Sequence, residues 1–269
     1  MFKSPFLIKR RLYEFFCKYF FGFIKILFWI KSIKLIGGRA EGYKISDDTG
    51  TLYFQNIYRS RLYFYGIENR FKNLREAYLT DQCSLIPGDV LIDCGANIGE
   101  FSLACHRHYN VECFAIEPSP APFEALSKNV AGIKGITVLN AGLGVGDGVA
   151  TLFDKSSTAD SSFIDPGGAK PVSVEMVTGR SLLDRFSIEN VKLLKVEAEG
   201  YEPEVLSGFL GVLERIQYVV VEMSGERGIS QDFTICPCVN FLVANGFEMK
   251  QFSPGRYTAL FANRSFGVH

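Results

Sequence analysis

The paired cysteines of a zinc site are missing from this sequence, although it contains seven cysteines. None of them forms a C-x-x-C pair, which argues against the common structural zinc patterns. Because the number is odd and several cysteines lie in apolar stretches, we expect buried, reduced thiols in a cytosolic protein. The segment Cys236-Pro237-Cys238 is unusual, but it lacks a second pair of ligands, and we predict no metal site there.

The chain also lacks net charge, with 29 basic and 29 acidic residues. The charges are unevenly placed, because residues 1–36 carry eight basic residues against Glu14 alone and the rest of the chain is correspondingly acidic. An acidic body disfavours a general nucleic-acid binder. The basic segment instead predicts contact with an anionic surface.

An uninterrupted apolar span is absent as well. Residues 6–33 repeat apolar side chains at a helical period, but Lys18 and Lys25 interrupt them and no small-residue cleavage site follows. This pattern disfavours a transmembrane helix and a secretory signal. It favours an amphipathic helix on the cytoplasmic face of an anionic membrane, or a helix buried in an oligomer or against its own domain. We expect a helical extension over residues 1–38 and one domain over residues 39–269, with the oligomeric state left open.

A strand, a glycine-marked turn and a helix follow one another around Asp93. Residues 90–92 are typical of a buried strand, Gly95 and Gly99 permit a tight turn, and residues 101–105 continue as a helix. The helix N-terminal amides would form a polar cradle for a nucleoside. The spacing D-x-G-x-x-x-G differs from the G-x-G-x-x-G of dinucleotide-binding folds, which disfavours a dinucleotide oxidoreductase.

Acidic side chains follow the next predicted strands. Glu117 follows a strand over residues 111–116, at the position where a carboxylate accepts hydrogen bonds from a ribose diol. A third strand, residues 136–139, precedes small residues at 140–143 that would pass close to an adenine ring. The Ser-, Gly- and Pro-rich residues 154–170 are the predicted acceptor-facing loop.

The fourth predicted strand, residues 191–196, ends in a group of charges. Alternation places Lys195, Glu197 and Glu199 on one side, where this strand adjoins the first. Acids buried together need a compensating cation or proton, so this group predicts function. A fifth strand, residues 216–221, ends at Glu222 on the same edge. Hairpins at residues 43–54 and 247–262 and a helix over residues 64–79 complete the prediction.

Three ordered motifs resemble the FkbM family of class I S-adenosylmethionine-dependent methyltransferases. They are I-D-C-G-A-N-I-G, then E-P-S-P with L-S-K-N, then L-L-K-V-E-A-E-G-Y-E with V-L-S-G, within residues 55–262. The resemblance implies an α/β fold with a doubly wound, mostly parallel seven-stranded sheet, a C-terminal antiparallel hairpin, and O-methylation of a hydroxyl. The family usually has K-x-D-x-E-G, so Glu197 stands in place of the usual aspartate.

The resemblance also implies roles for individual residues. The residues expected to hold S-adenosyl-L-methionine are Asp93, Gly95, Asn97 and Gly99 at the methionine part, Glu117 at the ribose, and Asn140, Ala141 and Gly142 at the adenine. The expected catalytic residues are Glu197 or Glu199 as general base and Lys195 beside them. The two glutamates could instead hold a divalent cation, which we do not favour. His106 and His108 are further alternatives for the base, but they lie late in the predicted helix.

The sequence defines the methyl acceptor less closely than it defines the cofactor. Glu222, Tyr201 and Arg59 are the predicted acceptor-binding residues, and Arg59, Arg61 and Arg70 would suit an anionic substrate or an ordinary surface. We expect a small molecule, a sugar or a glycan, with a lipid-linked saccharide as one form. The absence of N-P-P-Y and D-P-P-Y after the fourth strand disfavours methylation of nucleic-acid bases. A non-catalytic glycan-binding or membrane-docked scaffold protein with this fold is the alternative.

Overall fold

The computed structural model describes residues 33–38, 42–155, 161–165 and 167–267. The predicted amphipathic helix therefore lies outside the described residues except for Ile33, which is buried. Lys34–Gly38, assigned to the helical extension from the sequence, forms a strand. Among the described residues, no helix is both long and apolar enough to cross a bilayer.

A seven-stranded sheet forms the centre of the molecule. From one edge to the other its strands are β14 (Phe247–Ser253), β15 (Thr258–Asn263), β11 (Ile216–Glu222), β10 (Val191–Val196), β4 (Val90–Cys94), β5 (Glu112–Ile116) and β6 (Ile136–Leu139). Within this sheet, β15 runs opposite to the other six strands, which are parallel to one another. The predicted doubly wound, mostly parallel sheet with its C-terminal hairpin is confirmed.

The central strands β4, β10 and β11 are buried on both faces, which explains their continuous apolar sequences. Successive residues point to opposite faces, so Leu91 enters one hydrophobic core and Ile92 the other. Leu193 and Leu194 do the same on β10. The covering helices are α1 (Ile67–Ala77), α2 (Glu100–Tyr109), α3 (Pro120–Asn129), α4 (Gly179–Arg185), α5 (Glu202–Ser207) and α6 (Ile235–Ala244).

Smaller sheets flank the central one. One antiparallel sheet contains β1 (Lys34–Gly38), β2 (Gly42–Asp47) and β3 (Gly50–Phe54). Strands β2 and β3 form the hairpin that was predicted over residues 43–54. A second contains β7 (Gly142–Leu143), β8 (Gly148–Asp154) and β9 (Lys170–Val177). The third pairs β12 (Gly225–Arg227) with β13 (Asp232–Phe233).

The chain order of the strands fixes where a ligand binds. From β4 the chain moves outward to β5 and β6, and it then returns to the other side of β4 as β10. The carboxyl ends of β4 and β10 thus form a topological switch point, the usual ligand position in an open α/β sheet.

Candidate active site

A cavity of about 380 Å³ opens at this switch point, a volume suited to a small molecule. Most of the predicted site residues line it, namely Arg59, Gly95, Asn97, Glu117, Ala141, Gly142, Lys195, Glu197, Glu199, Tyr201 and Glu222. Asp93, Gly99 and Asn140 are not part of its wall. These three predicted cofactor positions lie outside the wall of this cavity, and their predicted contact with the cofactor stays a prediction.

In the turn after β4, the backbone amides of residues 95–97 already have hydrogen-bond partners within the protein. The backbone N–H groups of Gly95 and Ala96 both donate to the carbonyl of Ile116, and that of Asn97 donates to Glu117 Oε2 at 2.8 Å. The amides of these three residues are thus bonded to the end of β5, and the predicted cradle of helix N-terminal amides stays a prediction. Gly95 has a φ of 76°, and a Cβ there would overlap the carbonyl oxygen of Glu197.

Glu117 is held by the backbone from two sides. Its Oε2 accepts from Asn97 and its Oε1 accepts from the N–H of Ser119 at 2.7 Å. A carboxylate has room for about four hydrogen bonds, so each oxygen retains capacity for a ligand in the cavity. Burial raises the pKa of this carboxyl to about 7 despite the two amides. Glu117 therefore presents a fixed acceptor pair to the cavity.

Asn140 lies behind this acid and does not face the cavity. Its side-chain amide donates to the carbonyls of Glu117 and Pro118. The cavity wall is formed by the next residues, 141–143. Phe163 packs closely against Gly142, and its ring lies 5.2 Å from that of Tyr201. The predicted acceptor-facing loop thus contributes an aromatic wall beside the predicted adenine position.

Lys195 joins the ends of the two central strands. The register places Lys195 beside Asp93, and its ammonium lies 3.0 Å from Asp93 Oδ1 and 3.0 Å from Glu197 Oε2. It also donates to the carbonyls of Cys94 and Gly95. Burial opposes the charge, but Asp93 and Glu197 together raise the pKa of Lys195, so it stays protonated.

Asp93 is fully buried and has a structural environment. Its second oxygen accepts from the hydroxyl of Ser102 on α2 at 2.7 Å. Gly99 begins α2 in a left-handed conformation, and a Cβ there would collide with Leu126. Both residues, predicted to contact the cofactor, lie behind the cavity wall because they join the turn to the sheet and to α3.

Four side chains from distant segments meet at the opposite wall of the cavity. We call Tyr78, Glu197, Glu222 and Arg256 the acid cluster. The Tyr78 hydroxyl lies 2.6 Å from Glu197 Oε2 and 3.1 Å from Glu222 Oε2. Arg256 Nη2 donates to Glu197 Oε1 at 3.1 Å and to Glu222 Oε2 at 2.7 Å. One guanidinium thus bridges two carboxylates.

The two carboxylates of the cluster have opposite electrostatic environments. Burial alone would raise the pKa of Glu197, but Lys195 and Arg256 lower it to about 2. Burial and the neighbouring charge of Glu197 raise the pKa of Glu222 to about 7, against the effect of Arg256. At neutral pH, Glu197 is a fixed anion and Glu222 is poised to exchange a proton.

The remaining acids after β10 are separated by the turn. Glu199 has a φ of 50°, lines the cavity, and accepts the Ser162 hydroxyl at its carbonyl. Glu202 turns away and accepts from the amides of Ala198 and Gly200 and from the hydroxyl of Thr234. Of the three acids expected to crowd this strand end, Glu202 is therefore held away from the cavity, while Glu197 and Glu199 line it.

A buried ion network lies at another part of the wall. Glu100 pairs with Arg59 and with Arg70, whose Nε lies 2.8 Å away, and accepts from the Tyr63 hydroxyl at 2.7 Å. Burial opposes ionisation, but the two arginines lower the pKa of Glu100 to about 2. Arg61 also lines the cavity and has no acidic partner among the described residues. Two guanidiniums therefore share one carboxylate, and a third adds positive charge.

Sequence patterns did not identify Tyr78 or Arg256. Tyr78 follows α1, and Arg256 lies in the β14–β15 turn after Pro254-Gly255. Neither position carries a local motif, because only the fold brings these segments to the ends of β10 and β11. Of the alternative bases, His106 bonds the carbonyl of Val111, and neither it nor His108 lines the cavity.

The wall of the cavity fits S-adenosylmethionine. We call residues 95–97, Glu117 and residues 141–143 the nucleoside wall. It combines a backbone turn with no space for a side chain at Gly95, a buried carboxylate for a diol, and the small residues Ala141 and Gly142 beside the ring of Phe163. These are the groups that a nucleoside with an attached amino acid needs.

Comparisons with known proteins agree with this assignment. A model of the methyltransferase FkbM domain matches residues 93–249. Hexuronic acid methyltransferase AglP of Haloferax volcanii is 31% identical over 136 residues, which cover 50% of this chain and 56% of that protein. Methyltransferase sdnD of Sordaria araneosa is 28% identical over 257 residues, covering 77% of this chain and 96% of that one.

Among solved structures, precorrin-6y C5,15-methyltransferase of Geobacter metallireducens superposes with a TM-score of 0.43 at 15% identity, over 71% of this chain and 87% of that one. The family match covers more than half of this chain and contains both the nucleoside wall and the carboxylates after β10 and β11. The chain therefore belongs to the FkbM family of S-adenosylmethionine-dependent methyltransferases.

Proposed function

We propose that this protein transfers a methyl group from S-adenosylmethionine to a hydroxyl of a sugar or a glycan. The observation that carries the proposal is the single cavity that joins the nucleoside wall to the acid cluster. The cofactor supplies an activated methyl group on a positively charged sulfur. The chain then has to hold the acceptor oxygen in line with that group and to take its proton.

The nucleoside wall binds the cofactor and excludes water from the site. Glu117 accepts hydrogen bonds from ribose hydroxyls, and residues 141–143 with Phe163 close the space around the base. Orientation of two bound reactants contributes roughly 7–11 kcal/mol to lowering a barrier. Asp93 and Lys195 support this role by fixing the ends of β4 and β10.

Direct action of a carboxylate base fits the acid cluster better than a bound divalent cation. Arg256 lies between Glu197 and Glu222, and Lys195 contacts Glu197 from the other side. These cations already balance the carboxylates at the positions that a metal ion would need. Glu197, Glu199 and Lys195 were the sequence-based candidates, and Glu222 joins them here.

An acidic sugar is the acceptor that we propose to test first. Arg59, Arg61 and Arg70 give one part of the cavity wall an excess of guanidinium groups, which suit a carboxylate. The name of the similar Haloferax protein, a hexuronic acid methyltransferase, supports the same class. The hydroxyl that is methylated would lie toward the acid cluster.

The test uses the full chain with methyl-labelled S-adenosylmethionine and a panel of methyl glycosides. The panel contains glucuronate and galacturonate and, as neutral counterparts, glucose and galactose. We expect label in a uronate product, with mass spectrometry showing one O-methyl group. Binding of S-adenosylhomocysteine without transfer to any sugar would contradict the sugar proposal and favour the non-catalytic glycan-binding alternative. Absence of cofactor binding would contradict the activity itself.

Association with an anionic membrane stays a separate proposal. It rests on the basic, apolar pattern of residues 1–36. Because Ile33 is part of the hydrophobic core, the deletion should end at residue 32. We expect the full chain to sediment with phosphatidylserine vesicles and the shortened chain to remain in solution while it still binds S-adenosylhomocysteine. Equal sedimentation of both would contradict the proposal.

A further inference from the structure

One oxygen of the acid cluster differs from the other carboxylate oxygens there. Both oxygens of Glu197 are engaged, Oε2 by Tyr78 and Lys195 and Oε1 by Arg256. Every contact of the Glu222 carboxylate ends on Oε2. In the part of the chain that the structure describes, no group donates to Glu222 Oε1, and this atom is not among the buried polar atoms without a partner.

We infer that Glu222, through Oε1, is the general base that takes the proton of the acceptor hydroxyl, and that Glu197 is a positioning residue. The inference rests on the proposed function, because it assigns the base of that reaction. A base needs an open lone pair within reach of the substrate, and Glu222 lines the cavity and has no donor on Oε1. Both oxygens of Glu197 already accept from cationic donors, Oε2 from Lys195 and Oε1 from Arg256, so an acceptor hydroxyl would have to share them.

The step balances without a further reactant. A lone pair of the acceptor oxygen forms the new bond to the methyl carbon while the bond from that carbon to sulfur breaks, and the bonding pair stays on sulfur. The hydroxyl proton passes to Glu222 Oε1. Because the Glu222 side chain is 9% exposed and lines the cavity, this proton returns to water after the products leave.

Charges from three elements face Glu222. Arg256 approaches from the β14–β15 turn, Tyr78 from the segment after α1, and Glu197 from the end of β10. The ammonium of Lys195 lies 5.3 Å from the centre of the Tyr78 ring and holds Glu197 rather than Glu222. Burial raises the pKa of the Tyr78 hydroxyl, so Tyr78 remains a donor.

This arrangement gives the two acids different duties. The guanidinium of Arg256 holds Oε2 of Glu222 through Nε and Nη2 and leaves Oε1 without a donor. Glu197 carries a permanent negative charge that fixes Arg256 and, with burial, keeps the pKa of Glu222 close to neutral. A base with a pKa close to the working pH is the most efficient kind.

The test compares Glu222→Gln with Glu197→Gln. Glu214→Gln is the matched control, since Glu214 is exposed just before the other end of β11. S-adenosylhomocysteine affinity and thermal unfolding show whether each variant folds. Single-turnover methyl transfer to the methyl glucuronoside, or to the panel sugar that accepts label, is measured from pH 5.5 to 9. The carboxyl bands of protein with ¹³C-labelled glutamate are followed by infrared titration over the same range.

For Glu222→Gln, we expect unchanged S-adenosylhomocysteine affinity, a rate about 10²- to 10⁴-fold lower, and loss of the rise in rate near pH 7. Glu197→Gln should keep a rise in rate with pH, and Glu214→Gln should behave as wild type. A Glu222→Gln variant that binds S-adenosylhomocysteine and keeps the wild-type rate or pH profile would overturn the inference.

If no panel sugar accepts label, the proposed acceptor class fails, and the infrared titration decides the inference. Glu117 also has a pKa raised to about 7, so the titration is run in a Glu117→Gln background. A carboxyl that titrates near pH 7 there and disappears when Glu222→Gln is added supports Glu222 as the exchangeable acid. The same titration with and without Glu222→Gln overturns the inference. Failure of the acceptor class and failure of the assigned base are therefore distinguishable.

Discussion

The nucleoside wall and the acid cluster face the same cavity but are assembled in different ways. The nucleoside wall comes from short segments that directly follow β4, β5 and β6, and its main bonds are between a turn and a neighbouring strand end. The acid cluster takes one side chain from each of four distant segments. A substitution in the first should therefore change cofactor binding, and one in the second should change turnover.

Gly95→Ala should affect both regions at once. A Cβ on Gly95 would overlap the carbonyl of Glu197, and the φ of 76° is unfavourable for alanine. Strain of about 1–3 kcal/mol corresponds to roughly 10- to 100-fold weaker cofactor binding. Calorimetry with S-adenosylhomocysteine measures the loss of affinity, and a thermal unfolding curve measures the loss of stability.

Gly146→Ala is the control for this substitution, because a Cβ at Gly146 would have no atom within 4 Å. We expect its affinity and unfolding temperature to match wild type. Equal losses in the two variants would show that the contact between Gly95 and Glu197 is not what joins the regions.

The pH dependence of cofactor affinity should isolate the nucleoside wall. Glu117 has a pKa raised to about 7 by burial, and ribose hydroxyls favour its ionised form, so a proton competes with the cofactor. Affinity should rise through pH 7 and level off above it, with a change of about tenfold between pH 8 and pH 6. Calorimetry of wild type and Glu117→Gln measures this, and an equal pH dependence in both would contradict the assignment.

The same kind of pKa shift determines how the stability of the protein without ligand depends on pH. The raised pKa values of Glu117 and Glu222 add stability as the pH falls from about 7 toward 4.5. The lowered pKa values of Glu100 and Glu197 have the opposite sign, so their stabilisation is lost as the pH falls from 4.5 toward 2. We therefore expect the midpoint of thermal unfolding to be highest on the acidic side of neutrality.

Arg256→Met should change turnover without changing cofactor affinity. Removing the guanidinium removes a charge that lowers the pKa of Glu222, so more Glu222 is protonated at pH 7. We expect a rate about tenfold lower at pH 7 with partial recovery at pH 9, since one unit in pKa is a tenfold change in ionisation. Arg264→Met, an exposed arginine just beyond β15, is the control. A parallel loss of S-adenosylhomocysteine affinity would contradict the separation of the two regions.

Asn140→Ala should have the smallest effect. Its amide supports the carbonyls of Glu117 and Pro118 from outside the cavity. We expect a loss of about 1 kcal/mol in the free energy of unfolding and less than threefold weaker binding of S-adenosylhomocysteine. A much larger loss of affinity would restore Asn140 to the cofactor site.

The sequence predicted the central sheet because its signals are local. Apolar strands, the turn at Gly95 and the acid at 117 each follow one another along the chain, and the resemblance supplied the strand order. Sequence reasoning placed Asp93 at the cofactor because the motif contains it, whereas the register of β4 and β10 places it against Lys195. A motif shows which residues belong to a turn but not which of them face the ligand.

The acid cluster shows the limit of such reasoning. Glu197 and Glu222 were visible as acids at strand ends, but their difference in pKa depends on Tyr78 and Arg256, which reach them only through tertiary structure. Arg256 also lies outside the matched residues 93–249, as does Tyr78. The proposed base could therefore be chosen only from the tertiary structure.

The most direct test of the division between the two regions is a calorimetric titration of S-adenosylhomocysteine into wild type, Glu117→Ala and Glu222→Gln at pH 8. We predict that Glu117→Ala shows no measurable binding heat and that Glu222→Gln binds with wild-type affinity. Wild-type affinity in Glu117→Ala, or lost affinity in a folded Glu222→Gln protein, would contradict the account.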